Sequence, residues 1–144
     1  MKAVIQRVAR ASVKAGELEA AIGPGLMVLV GLEEGDTEAT CEWAAAKIAS
    51  LRVFEDAEGK MNLGLREIGG EILAISQFTL AGSIAKGRRP SFDRAMAPDD
   101  ARILFRRFLE LLKAQYPHVK SGFFQEHMEV ALVNDGPVTF ILER

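Results

Sequence analysis

A serine, an amide, an aromatic ring and a threonine stand in a row at Ser76, Gln77, Phe78 and Thr79, directly after the apolar run Ile72 to Ile75. A strand end that turns polar this abruptly can present hydroxyl, amide or backbone N–H groups to a carbonyl, as stabilising the oxyanion of an ester or amide cleavage requires. Ordinary strand-end hydrogen bonding accounts for the same residues. Read as a strand, the alternation sends Ser76 and Phe78 to one face and Gln77 and Thr79 to the other. A second unusual stretch is Asn134-Asp135-Gly136-Pro137-Val138-Thr139, set between MEVALV and VTFIL. Asn, Asp and Gly between two apolar runs read as a β-hairpin turn. Pro137 works against that ladder, because it donates no backbone hydrogen bond and restricts the residue before it. A third feature is charge. From Lys86 to Lys113 the sequence has eight basic residues against four acids, +4 in a chain whose formal total is −2. Either this segment is a phosphate-binding patch, or it is a solvated helix face joined to a loop.

Other familiar catalytic sets are missing. The chain has no GxSxG elbow, P-loop, GxGxxG or HExxH, and its only histidines are His118 and His127. His127 lies beside Glu126, but neighbours in a strand face opposite ways, so the pair reads as a surface feature. Cys41 falls in the apolar part of a helix and reads as a buried structural thiol. No metal or other cofactor is expected.

The elements that must hold these residues follow from periodicity. Val4 to Val13 and Leu18 to Ile22 form a first hairpin about Gly16. Leu26 to Leu32 is a continuous apolar run of the kind buried on both faces. Asp36-Thr37 supplies N-cap chemistry for a helix to about Ser50, with Trp43, Ala46, Ile48 and Leu51 expected inward. LRVF and MNL flank the turn EDAEGK, and Glu71 to Leu80 reads as one strand. Residues 81–97 have no sustained period and form a long loop. Pro98 opens the clearest helix, with Ala101, Leu104, Phe105, Phe108, Leu111 and Leu112 on one face and Arg102, Arg106, Arg107 and Lys113 on the other. The expected class is α+β: one domain over residues 1–144, mainly antiparallel, with a barrel-like sheet and two main helices.

Composition narrows the class further. With 144 residues the chain suits one core. A pI near 5.7 argues against a surface that is basic throughout, and so against a general DNA binder. One cysteine excludes an intrachain disulfide. Arg7, Arg10 and Lys14 interrupt the N-terminal apolar stretches, and no run reaches membrane-spanning length, so a soluble cytoplasmic protein is expected.

SQFTL at 76–80, GRRPSF at 87–92 and NDGPVT at 134–139 together resemble the D-aminoacyl-tRNA deacylases of the bacterial and eukaryotic type. VIQRV at 4–8, LRVFED, GKMN and Met128-Glu129-Val130 extend the likeness over essentially the whole chain. The resemblance implies a homodimeric hydrolase that cleaves, without metal, the ester between a D-amino acid and the terminal adenosine of tRNA. It is a proofreading activity that keeps D-residues out of translation. It implies a cis Gly136-Pro137 bond reaching across the dimer interface into the partner's pocket, where main-chain carbonyls select chirality by filling the space of an L side chain. Achiral glycyl-tRNA would also be admitted.

By the same resemblance Ser76, Gln77 and Phe78 line the adenosine and ester end of the pocket, with backbone N–H groups as oxyanion donors. Thr79 is the obvious nucleophile, yet no base is visible to activate it. Water attack assisted by the substrate's 2′-OH is the competing reading. Phe124 and Met128 are expected to wall the adenine, Asn134 and Thr139 to brace the Gly-Pro turn, and Lys86, Arg88 and Arg89 to contact tRNA. The chain departs from the family pattern at Gln125-Glu126-His127, where a small Gly-Ala-Asp stretch is common, at Ala81, where an aromatic is frequent, and at Gly64, where serine is common. An editing module working with an aminoacyl-tRNA synthetase is the alternative.

Overall fold

Strand β1 (Lys2–Ala15) organises the molecule, because both of its edges are used along most of their length. The computed structural model describes residues 1–144. On one edge, β1 pairs antiparallel first with β3 (Gly25–Gly31) and then with β2 (Leu18–Ile22). On the other it pairs antiparallel with β8 (Glu129–Glu143), from Lys2 opposite Glu143 to Lys14 opposite Glu129. Strand β6 (Glu71–Ser76) lies parallel to β3, and β7 (Val119–Ser121) lies parallel to β6. A separate antiparallel pair joins β4 (Arg52–Glu55) and β5 (Met61–Gly64). The result is an α+β fold on a near-closed, mixed barrel-like sheet in which antiparallel pairings outnumber parallel ones. Its two main helices are α1 (Glu38–Ala49) and α3 (Pro98–Gln115), with a single turn, α2 (Leu65–Ile68), between them in sequence.

Alternation divides the core. Leu26, Val28 and Val30 of β3 and Ile72 and Ala74 of β6 face the helices, where they meet Ile48, Phe105, Phe108 and Leu112. Met27, Leu73 and Ile75 face the opposite way, against Val8, Ala11 and Val13. Each such fully buried aliphatic side chain contributes about 2 kcal/mol. Strand β1 changes parity to serve both cores: Ala3 and Ile5 face the helices, while Ala11 and Val13 face the smaller cluster. Its register against β8 slips by one residue between Val8 and Arg10, and a one-residue bulge inverts the facing of everything beyond it.

Three expectations are corrected. Residues 129–143 form one strand on β1, with no hairpin: Val8 faces Asn134 and Gln6 faces Thr139, so four residues of β8 bulge out opposite Arg7 alone. The strand beginning at Glu71 stops at Ser76, and Phe78–Ala81 turns into a 3-10 helix. In α1 the buried stripe is Cys41, Ala44, Ala45 and Ile48, while Ala46 is exposed and Trp43 half-buried. The 3.6-residue period places 41, 44, 45 and 48 together, and bulk alone misassigned the face. Thr37 is the N-cap, with its N–H donating to Thr40 Oγ1. The loop expected over 81–97 is present, tied down by bridges between Ser83 and Ser91 and between Glu33 and Ala95.

Candidate active site

Gly31 lets the SQFTL segment turn where it does. A Cβ there would lie 2.7 Å from Leu80 Cβ and 2.9 Å from the Gln77 carbonyl, so only glycine allows the 3-10 turn to pack on β3. Gln77 N–H donates to Val30 O at 2.7 Å, which ends the β6 ladder on its neighbour. The next two N–H groups, of Phe78 and Thr79, stand in the first turn of the 3-10 helix, where the helix itself supplies no acceptor. First-turn N–H groups of this kind are the donors an oxyanion site uses.

This turn forms one wall of a cleft of about 650 Å³. Ser76, Gln77 and Phe78 line it from β6 and the turn. Phe92, Ala95, Met96 and Ala97 line it from the 81–97 loop, Pro98 and Ala101 from the start of α3, and Phe124 to Met128 from the segment between β7 and β8. The Phe78 and Phe92 rings meet at 5.1 Å with an interplanar angle of 56° and clasp the loop over the strand end. Phe124 packs on Phe105 at 6.2 Å and carries the Arg102 guanidinium 4.8 Å from its centroid. Met128 Sδ accepts the Phe123 N–H at 3.3 Å and closes on Gly122. Glu126 and His127 sit in this turn rather than in a strand, both exposed. Gln125 has φ 62 and accepts a hydrogen bond from Arg102 Nη2.

The cleft therefore gathers Ser76, Gln77, Phe78, Phe124 and Met128, which lie far apart in sequence. Thr79 is exposed and outside it: its hydroxyl accepts from Gln77 Nε2, and no carboxylate or imidazole bonds to it. Lys86, Arg88 and Arg89 project into solvent from the loop beyond the Ser83–Ser91 bridge. Phe92, Met96 and Pro98 escaped the sequence reading as wall residues. The GRRPSF motif holds the first of them, but only the fold turns its ring toward Phe78.

Gly136 and Pro137 are elsewhere, at the exposed tip of the β8 bulge, with the bond between them cis. Arg7 braces the tip from beneath. It is 5% exposed, and it donates from Nε to the Asp135 carbonyl and from Nη1 to the Val53 carbonyl, both at 2.8 Å. Glu55 and Asp135 carboxylates lie 3.4 and 3.5 Å from the guanidinium. Across the bulge the Val138 N–H donates to Asn134 Oδ1 at 2.8 Å, while Asn134 Nδ2 donates to Val138 O and Thr139 Oγ1. Gln6 Nε2 also donates to Thr139 Oγ1, at 3.2 Å. Gly136 has φ +155, and a Cβ there would lie 2.5 Å from Val138 N.

A D-aminoacyl-tRNA deacylase of Pelobacter propionicus is 57% identical over the full length of both chains. One from Geobacter sulfurreducens is 57% identical over 99% of this chain and 95% of its own. Among solved structures, a c-Myc DNA unwinding element binding protein superposes with a TM-score of 0.93 at 44% identity, covering 100% of this chain and 99% of its own. A probable eukaryotic D-amino acid tRNA deacylase shares the fold, with a TM-score of 0.84 at 18% identity over 98% of this chain and 97% of its own. Residues 4–143 match the model of the D-Tyr-tRNA(Tyr) deacylases, and the chain belongs to that family.

Proposed function

We propose that the cleft hydrolyses the ester joining a D-amino acid to the 3′-terminal adenosine of tRNA, releasing free D-amino acid and tRNA. Family membership across residues 4–143 is the observation that carries the reaction. The cleft supports the division of labour. Ser76, Gln77 and Phe78 receive the adenosine and ester, Phe124 and Met128 wall the adenine, and the first-turn N–H groups of Phe78 and Thr79 receive the developing oxyanion. Water is the nucleophile, positioned with the help of the substrate's own 2′-OH, because the Thr79 hydroxyl has no base beside it.

The whole chain acts as one domain of a cytoplasmic homodimer. Its Gly136-Pro137 tip, braced by Asn134, Thr139 and Arg7, does not line its own cleft and enters the partner's, where backbone rather than side chain rejects L-amino acids. Glycyl esters, which have no side chain to reject, are also cleaved. Lys86, Arg88 and Arg89 attract the tRNA backbone. Micromolar protein incubated with D-Tyr-tRNA and L-Tyr-tRNA provides the test. The D ester is expected to disappear while the L ester persists. Persistence of both overturns the reaction, and loss of both overturns the chirality filter.

A further inference from the structure

The basic segment 86–113 is less uniform than its sum of charge indicates. Arg94 pairs with the buried Glu33 at 3.2 Å, and Arg107 is held between Glu38 and Glu110 at 2.8 and 2.9 Å. Those two arginines, and Glu110 with them, are already neutralised. Arg106 and Lys113 have no ion-pair partner and stand exposed on α3. Arg102 stands with them, anchored at the cleft rim by Gln125 and the Phe124 ring.

Helical spacing aligns the three. At 100° per residue, positions 106 and 113 lie about 40° and 20° round the axis from 102, so all three form one stripe about 16 Å long. It begins beside Ala101 and Phe124, which line the cleft, and runs away from it. Its only unneutralised acids on α3 are Asp99 and Asp100, in the first turn, ahead of Arg102. This rim offers a chain end bound in the cleft by a terminal adenosine an exit lined by unpaired cations. The nucleotides that follow are the unpaired 3′ end and then a double-stranded stem, a polyanion held by phosphate contact rather than by base edges. The stripe extends over several phosphate steps, and Arg106 and Lys113 spend nothing on intramolecular pairs.

We propose that Arg102, Arg106 and Lys113 form a track for the phosphate backbone of the tRNA acceptor end, with Arg102 at the cleft end. The track rests on the ester-hydrolase reading of the cleft, and it adds α3 to Lys86, Arg88 and Arg89 in holding the tRNA beyond its terminal adenosine. Contacts of this kind release counterions, so each one steepens the fall of affinity with salt.

Two substrates separate the track from the cleft: D-Tyr-tRNA, and D-tyrosyl-adenosine, which has no stem. In Arg106→Ala/Lys113→Ala the KM for D-Tyr-tRNA is expected to rise about tenfold near physiological salt with kcat retained, cutting the enzyme's preference for tRNA over the short ester by the same factor. Binding of an uncharged acceptor-stem hairpin should weaken in parallel. Its slope of log affinity against log salt should fall by about 1.5, whereas Arg107→Ala leaves the slope unchanged. Arg106→Lys, which keeps the charge, should bind as wild type does. An unaltered KM and salt slope in the double variant overturns the track, as does an equal loss on both substrates. If wild-type protein cleaves neither ester but still binds the hairpin through Arg106 and Lys113, the track stands and the hydrolase reading falls.

Discussion

Thr79 shows how far a single side chain can be judged by its surroundings. Its hydroxyl accepts from Gln77 Nε2, lies outside the cleft and bonds to no carboxylate or imidazole. Thr79→Ala is therefore expected to keep kcat within about threefold of wild type, because a nucleophile without a base contributes little. A substrate whose terminal 2′-OH is replaced by hydrogen should react orders of magnitude more slowly. Single-turnover rates decide between these outcomes, and the reverse pattern would make Thr79 the nucleophile. Cys41 is the opposite case, a reactive type in an inert place. Burial first, and then the Asp36 carboxylate, push its thiol up to about 11 from the usual 9.0. The unfolded chain therefore ionises at lower pH than the folded one, and the resulting stability is complete below about pH 9 and is lost as pH rises toward 11. Denaturant midpoints of Cys41→Ala and wild type should accordingly converge or cross over that window, and native Cys41 should resist alkylation at pH 8 until the protein unfolds. Rapid alkylation of native protein would contradict its burial.

Among the elements, β8 is the one whose form depends most on a distant partner. Arg7 supplies the bracing that its own sequence lacks, holding the Asp135 and Val53 carbonyls together in a site 5% exposed. Arg7→Ala is expected to cost about 2 kcal/mol in urea unfolding, since two charge-assisted hydrogen bonds are lost and the Val53 carbonyl is left buried without a donor. Arg7→Lys should recover little, because an ammonium cannot reproduce the guanidinium's fork. Wild-type stability in either variant would show the tip to be held by Asn134 alone. The same element marks the limit of what the sequence discloses. Strands β1, β2 and β3 and helix α3 are legible because local periodicity and burial agree. NDGPVT reads as a hairpin because Asn, Asp and Gly are turn residues, and nothing local says that β1, more than a hundred residues earlier, pairs with both flanks. SQFTL reads as strand to its end because the glycine that admits a 3-10 turn sits at position 31, on another element. The motifs locate the chemistry at residue level, but the cleft is assembled from β6, the 81–97 loop, α3 and the 123–128 turn, whose proximity no spacing encodes.

At the scale of the molecule, one feature of the chain is incomplete. Strand β8 pairs along one edge with β1 and along the other with nothing, and its exposed residues include Ile141 at 71% and Phe140 at 42%, beside Val130 and Val133. A long apolar edge strand of this kind invites another chain, and a closed two-fold pair satisfies it without forming fibres. The Gly136-Pro137 tip stands on that same strand and does not line its own cleft, so the proposed homodimer would pair through the strand that bears the tip. Complementation follows. Gly136→Ala places a Cβ 2.5 Å from Val138 N and displaces the tip, while Ser76→Trp fills the cleft and leaves the tip intact. Each variant alone should fail to discriminate or to cleave. Refolded together in equal amounts, about half of the dimers should be mixed, each with one intact cleft facing one intact tip, and once separated from the parent dimers they should keep about half of the wild-type sites. Selective D-Tyr-tRNA hydrolysis by the isolated mixed dimers, absent from either parent, requires that the site be shared between protomers. Mixed dimers that cleave D-Tyr-tRNA and L-Tyr-tRNA alike would place tip and cleft in the same chain and leave the exposed edge of β8 without a role in catalysis.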